Sequence, residues 1–454
     1  MVNIGINLDF LPYLFGGSIY HPLRIFFIFT VILLAILIIL RIILVHWMRH
    51  IQKIYLDGQK YVLLSIDVPR DNEQGPEAIE RFFAHLSGIK INPDWHEKYM
   101  DGKVQLDVSL EITSIGGQIK FLIYTPVQYR DLIEAAIYAT YPGVEIMETE
   151  DYTKEIPDEF PNEEYDLWGC DLGLYNKNPY PIKTYPNFEH TLSKELKDPI
   201  IDLLEILGKL WEGEQVWIQF IIRPAGPEFK KEGERLVRTM MGEKEEASKN
   251  LIDKTLWTPV KITQTMADIV SESLGLLFPI GDSKEEKIKT VLSAGEKRVI
   301  ESIQNKIAKI AFETRIRVIY LAKKEIFSQD RGIIGVLSAF NAINTLDMNG
   351  IEPEIKASTS SRRLYKAGAQ KTAIIKTHKK RDRFWKIEPK GLKRILLTAG
   401  KFLTIPIDRR KRKNILNTEE LATLYHFPVA TIKPPLIKKT GSKKGEPPFS
   451  LPVR

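Results

Sequence analysis

Hydrophobic and polar positions along the 454-residue chain fall into distinct registers. Residues 25–45, IFFIFTVILLAILIILRIILV, contain one charge, Arg41. A helix of that length spans ~31 Å, about the hydrocarbon thickness of a bilayer, so the run predicts an N-terminal transmembrane helix. A cleaved signal peptide has a shorter apolar core followed by a small-residue site. Here Arg41, His46, Trp47, Arg49 and His50 follow instead. Residues 1–22 carry Asp9 and no Lys or Arg, Arg24 lies at the boundary, and Arg41, Arg49, Lys53 and Lys60 lie beyond. Cations are retained on the cytoplasmic side. The expectation is a single-pass protein of the inner membrane, with residues 1–24 outside and the bulk of the chain cytoplasmic. His46 and His50 stand at i, i+4 without a third ligand and read as interfacial imidazoles.

Residues 60–152 predict a ferredoxin-like α+β domain. Tyr61 to Val68 is a short apolar run ending at Pro69. Pro76 opens a helix with Ile79, Phe82, Phe83 and Leu86 on one stripe. Val104, Leu106, Val108, Leu110 and Ile112 alternate with Gln105, Asp107, Ser109 and Glu111, the mark of a strand with one buried face. Gly116-Gly117 predicts a hairpin turn, and Ile119, Phe121 and Ile123 a partner strand. A second helix places Tyr129, Leu132, Ile133, Ala136, Ile137 and Thr140 on one face. Pro142-Gly143 ends it, and Val144 to Met147 supplies a fourth strand. The order is that of the split βαβ fold.

Residues 153–350 predict a second α+β domain with a charged helical insertion over 228–292. Its elements are an extended segment at Tyr165 to Tyr175, a short helix from Pro199 to Leu207, a strand at Val216 to Arg223 and a helix over 296–311. A strand follows in which Ile316, Val318 and Tyr320 alternate with Arg315 and Arg317, then a helix carrying Ile333, Val336, Leu337 and Phe340. The order partly echoes the first domain, as in a diverged repeat, although no fourth strand is visible.

Charge is distributed unevenly. The chain is 44% hydrophobic and 27% charged, which excludes a largely disordered chain. The one cysteine, Cys170, excludes an internal disulfide and a thiolate metal cluster. Between Glu145 and Asp171 there are eleven acidic residues and one Lys. Solvation of an exposed connection is the preferred reading of that strip, and contact with a basic partner region the alternative. Residues 356–413 hold twenty Lys or Arg against three Asp or Glu, within a net charge of +7 for the whole chain. This basic, extended region marks Lys379, Lys380, Arg381, Arg383, Trp385, Arg409, Arg410, Lys411, Arg412 and Lys413 as candidate contacts. Three readings compete for them: DNA, anionic lipid, and an acidic protein surface or plain solubility. Residues 414–454 give a short helix capped by Asn417 and a Pro/Lys-rich tail.

No Walker, HExxH, GxSxG or CxxC pattern occurs, so the sequence points to no cofactor, no metal and no enzyme. The segments PEAIERFF (76–83), SLEITSIGGQI (109–119), FLIYTP (121–126), YRDLIEAAIYATYP (129–142), LNTEELATLYHFP (416–428) and KKGEPPFSLP (443–452) carry a resemblance. They resemble the membrane-anchored region that precedes the motor in HerA/FtsK-like ATPases of conjugation and type IV secretion. The resemblance implies a non-catalytic docking component that partners such an ATPase on another chain. Leu421, Leu424, Tyr425 and Phe427 are the candidate docking residues. A second copy of the chain is a further candidate partner. The competing expectation is a membrane-tethered nucleic-acid-binding protein using 356–413.

Overall fold

A computed structural model describes residues 21–69, 71–160, 162–188, 198–242, 292–354, 364–381 and 414–429. They divide into two compact units. The smaller unit contains α1 (His21–Asp57) and residues 92–104. Asp94 opens the one-turn helix Trp95–Tyr99 with a capping box to Glu97, the indole of Trp47 donates to the Tyr99 carbonyl at 3.2 Å, and Gly102 lies on the backbone of α1. Gly102 has φ +68°, and a Cβ there would come within 2.5 Å of the Ile51 carbonyl carbon. Only glycine supplies both the conformation and the clearance.

The transmembrane expectation is corrected here. Residues 25–45 do lie in a helix, but among the described residues no helix is long and apolar enough to cross a membrane. The helix has no boundary where the apolar run ends. It continues through Arg49, His50, Gln52, Lys53 and Asp57, so the apolar run is one part of a longer helix of mixed polarity. The single-pass topology and the inner-membrane location fall with it.

The larger unit is α+β, built on one nine-stranded sheet in the order β4-β1-β3-β2-β6-β7-β5-β8, with β9 beside β7. Every strand pair among the described residues is antiparallel. Its first half runs β1 (Tyr61–Asp67), α2 (Pro76–Leu86), β2 (Val108–Ile115), β3 (Gln118–Pro126), α3 (Arg130–Thr140) and β4 (Glu145–Glu148). Gly116 and Gly117 have φ +57° and +79°, as a primed hairpin turn requires. A Cβ on Gly117 would reach within 2.9 Å of the Gly208 carbonyl oxygen.

The second half runs β5 (Tyr165–Leu174), α4 (Ile201–Gly208), β6 (Glu214–Pro224), α5 (Glu228–Met240), α6 (Ala294–Ala308), β7 (Ala311–Lys323), α7 (Gly335–Asn341) and β8 (Ile351–Pro353). β8 is the fourth strand that the pattern does not reveal: three residues are too few to show a period. The strand order 4-1-3-2 is followed by its own reverse, and β2 pairs with β6 along its whole length. The two halves therefore share one sheet. The C-terminal region is also less extended than expected, since 364–379 form the helix α8 (Leu364–Lys379).

Helices α2, α3, α4 and α7 pack on one face of the sheet over a continuous apolar core. Ile133, Ala136 and Ile137 point into it. Leu132, expected beside them, is 37% exposed, because the inward stripe of α3 is narrower than its apolar sequence.

The core is closed by a segment from far along the chain. Strand β9 (Asn414–Asn417) pairs with Ala311–Thr314 of β7. The Asn414 amide accepts from Leu174 N (3.0 Å) and donates to Leu172 O (2.9 Å), splicing β9 to the end of β5. Asn417 then caps α9 (Thr418–Leu424) in a capping box with Glu420. Glu420 meets Lys306 at 3.0 Å with both side chains fully buried. Lys306 also donates to Tyr180 O (3.1 Å), and Glu420 accepts from Ile182 N (2.9 Å). Burial pushes the Lys306 ammonium down and the Glu420 carboxyl up from their ordinary values, each opposed by the other's charge. Tyr425 and Phe427 then wedge edge-on against Phe121, and Tyr141 stacks edge-on against Phe427.

Two predictions follow from this packing. Ile133→Asp should unfold the larger unit, because it buries an unpaired carboxylate, while Leu132→Asp should cost under about 1 kcal/mol at its partly exposed position; thermal melts of the full chain distinguish them. Glu420→Gln and Lys306→Met should each destabilise by roughly 3–5 kcal/mol in urea titrations. Lys306→Met combined with Glu420→Gln should recover part of that loss, since the stranded charge is gone.

Candidate functional site

Alternation along the central strands fixes the character of the second face. Val216, Ile218, Phe220 and Ile222 point to the helical core, as do Ile316, Val318, Tyr320 and Ala322. Their neighbours in sequence must point the other way. Register then places Glu111 of β2 beside Gln219 of β6, Gln219 beside Arg317 of β7, and Arg317 beside Asp171 of β5. A polar row thus crosses four strands. Asp171 accepts from Arg317 Nε at 2.9 Å and forms a second ion pair with Arg315. All of these side chains are buried.

The row is covered by residues 151–160 and by α8. Ile374 and Ile375 of α8 pack with Ile156, Phe160, Leu167, Trp217, Ile319 and Leu321 in a second apolar cluster. Thr372 Oγ1 accepts from Phe160 N (2.9 Å) and donates to Phe160 O (3.0 Å). The last residue before the undescribed stretch 382–413 is Arg381, held at φ +41°, which costs a non-glycine residue ~1–2 kcal/mol. Its guanidinium compensates by forking onto Glu111 (2.9 and 3.2 Å), pairing with Asp151 and lying 4.2 Å from the centre of the Tyr124 ring.

Glu111 is the hub. Besides Arg381 it accepts from Ser109 Oγ (2.8 Å), Gln219 Nε2 (2.9 Å) and Tyr152 OH (2.9 Å). Burial pushes its carboxyl up, but Arg381 opposite, with His378 and Gln219, holds it below the usual range. Burial and Arg381 act on Asp151 in the same opposed way, and Asp151 also ends low. An ionised carboxylate can only accept, so the phenolic proton of Tyr152 points to Glu111. The 2.8 Å contact between Tyr152 OH and His378 Nε2 must then be an N–H donated by the histidine. His378 is stacked on Trp217. Burial, with Arg317 and Arg381 nearby and Glu111 opposing, drives its pKa to about 3. It is neutral at physiological pH. Gln219 Oε1, Arg317 Nη1 and His378 Nδ1 are buried without a hydrogen-bond partner among the described residues.

The outer margin of this face is a ladder of ion pairs between α8 and the acidic strip. Lys371 pairs with Asp166, Lys376 with Glu159 (3.6 Å) and Lys379 with Asp158 (2.6 Å). The strip, preferred above as a solvated connection, in fact meets a basic region, and that region belongs to the same chain.

Of the candidate contacts, Lys379 is committed to Asp158 and to the Ile156 carbonyl. Arg381 is buried, and Lys380 is exposed. Arg383, Trp385, Arg409, Arg410, Lys411, Arg412 and Lys413 lie outside the described residues. Leu421, Leu424, Tyr425 and Phe427 are all buried in the core of this chain. Thr423 and Leu424 also border a shallow groove of about 20 Å³ with Ile200, Leu203, Phe340 and Ile343. Sequence reading missed Glu111, Asp151, Tyr152, Asp171, Trp217, Gln219 and His378. The one available signal was the i, i+2 spacing of charged residues on central strands. Among the described residues no group of His, Cys, Asp and Glu could hold a metal ion. Cys170 is buried, and its thiol is pushed up by that burial.

The fold and this face define an antiparallel α+β protein with one apolar and one ionic side to its sheet. The family model of a domain of unknown function, DUF8128, matches residues 56–349. That is more than half of the chain, which therefore belongs to the DUF8128 family. No curated protein matches it.

The face predicts acid sensitivity. Burial holds the His378 imidazole down at about 3 in the fold, against 6.5 for a free histidine. The unfolded state therefore binds the extra proton, and stability is lost as pH falls below about 6.5. The lowered carboxyls of Glu111 and Asp151 act in the same direction at lower pH. Stability from urea titration should drop by about 2 kcal/mol between pH 7 and pH 5 through His378 alone. His378→Phe, which keeps a ring on Trp217, should flatten that slope; an unchanged slope would remove His378 as its source.

Proposed function

We propose that the chain is a non-catalytic docking component that works beside a separate motor ATPase in a translocation machine of the conjugation or type IV secretion kind. The observation that carries this reading is the convergence of the segments that resemble the pre-motor region. Residues 76–83, 109–126, 129–142 and 416–428 are scattered along the sequence. In the fold, Phe82 and Phe83 of α2, Ile119 and Phe121 of β3, Ile133 and Ile137 of α3, and Leu421, Tyr425 and Phe427 share one core. The resemblance therefore follows a single packed body. The buried ionisable groups support the reading as well. Glu111 with Arg381, Asp171 with Arg315 and Arg317, Glu420 with Lys306, and Asp198 with His426 each join distant parts of the chain. Groups spent on holding shape suit a scaffold better than a reaction centre. Because Leu421, Tyr425 and Phe427 are inside, the docking surface lies on exposed parts of the body.

Tagged full-length chain, crosslinked in its own cells and purified, should bring down a HerA/FtsK-like ATPase in near-stoichiometric amount. Purified alone, it should not turn over ATP above a blank. Turnover by the chain alone, or the absence of any such ATPase, overturns the proposal.

The second reading is nucleic-acid binding. It is favoured by one observation: residues 382–413 carry eleven Lys or Arg against three Asp or Glu. The described residues on either side of it, Arg381 and Asn414, are both pinned by buried side-chain bonds. Phosphate neutralisation by such a stretch gives affinity that falls steeply with salt.

A further inference from the structure

We infer that the acidic strip is a built-in competitor, occupying the lysines of α8 that would otherwise contact a nucleic acid. The inference rests on the nucleic-acid reading. Lys371, Lys376 and Lys379 stand on α8, whose apolar positions Ile374 and Ile375 are committed to the sheet. Helix placement therefore leaves the lysines along the margin. Each meets a carboxylate: Asp166, Glu159 and Asp158. Asp158 and Glu159 come from the segment before β5 and Asp166 from the start of β5, and they meet α8 in antiparallel order.

The burial of the pairs separates holding from masking. Arg381 and Glu111 are nearly inaccessible, at 3% and 0% exposure. That pair fastens the end of α8 and is not exchangeable without unfolding the face. Two of the lysine pairs are open on their acidic side, with Asp158 61% and Glu159 85% exposed, and the third is half-covered, with Asp166 at 36%. Such pairs are individually weak and screened by salt. A polyphosphate chain can displace them one at a time while Arg381 keeps the helix in place. The strip also carries acid beyond what the lysines meet, at the exposed Glu155, Glu163 and Glu164. It therefore repels a nucleic acid as well as occupying its contacts.

The test compares the full chain with D158N/E159Q/D166N, which removes the competitor's charges and leaves every lysine. A control, E232Q/E301Q/E325Q, makes the same charge change at exposed positions on α5, on α6 and after β7. Binding of a labelled single-stranded oligonucleotide is measured by anisotropy across a salt series. The unmasked variant should bind about five- to tenfold more tightly than the natural chain at low salt. Its salt dependence should be steeper by up to about two, the slope expected of three further phosphate contacts. The control should gain no more than about twofold, the non-specific effect of added net charge. Equal affinities for the natural chain and the unmasked variant, both binding DNA, overturn the masking and leave nucleic-acid binding standing. An equal gain by the control overturns the masking too, since net charge then explains it. No binding by any of the three overturns the nucleic-acid reading and the inference with it.

Discussion

A nine-stranded sheet with helices on one face has a core that its own consecutive elements do not close. Phe83, Phe121, Phe220 and Phe312 line the place where the two split βαβ halves meet, and they are covered by Leu421, Tyr425 and Phe427. The covering segment begins about sixty residues after β8 ends. Ordering such a distant segment costs loop-closure entropy, so its contacts must be strong and specific. They are of three kinds. Strand pairing at Asn414–Asn417 fixes the register. The aromatic wedge buries apolar area. The Lys306–Glu420 pair fixes the depth to which α9 sinks. A buried ion pair is a poor source of net stability but penalises every arrangement that leaves one charge alone. It selects one docking of α9 over its neighbours a turn away.

The second face of the sheet is solved in a different way. Helices on the first face satisfy apolar side chains by packing alone. On the second face a row of charged and amide side chains must be buried, so each needs a partner of defined position. Strand register supplies Glu111, Gln219, Arg317 and Asp171 in line, but β-geometry leaves their remaining lone pairs unpaired. Arg381, Asp151 and Tyr152 come from outside the sheet to supply those bonds. The left-handed turn at Arg381 follows from this requirement. The helix α8 ends at Lys379, and Arg381, two residues on, reaches back to Glu111.

How far the sequence revealed this depends on where each signal lies. The Gly116-Gly117 turn and the stripe at Ile79, Phe82, Phe83 and Leu86 are local, and the elements they imply are present; the period-two pattern of 104–112 is local too, but its strand runs from Val108 to Ile115, and Asp107, Ser109 and Glu111 on the polar face are buried as well. The length of an apolar run is also local, yet it led to an anchor for which the described helices give no support. Run length reports hydropathy and says nothing of where a helix stops. The closing of the core by Tyr425 and the hub at Glu111 are contacts between residues about 300 and 270 apart, so no window of sequence contains them. The alternation of Arg315 and Arg317 with apolar residues shows a strand with two unlike faces, but only the covering segments make the charged face an interior.

The division of charge along the chain then takes on a physical meaning. A strip with eleven carboxylates and a region with twenty cations would each repel itself if isolated. Folding brings a part of one against a part of the other, and self-repulsion is reduced in both. Two grades of contact result. Where water is excluded, at Glu111, Asp151 and Arg381, the pairing is obligatory and sets the conformation. Where water remains, at Asp158, Glu159 and Asp166, the pairing is weak and open to exchange. The same complementarity therefore yields a fixed anchor at the end of α8 and a replaceable surface along its length. That gradient of burial sets the mutual affinity of the two segments at their inner end, and it leaves the choice of outer partner to whatever anion is present.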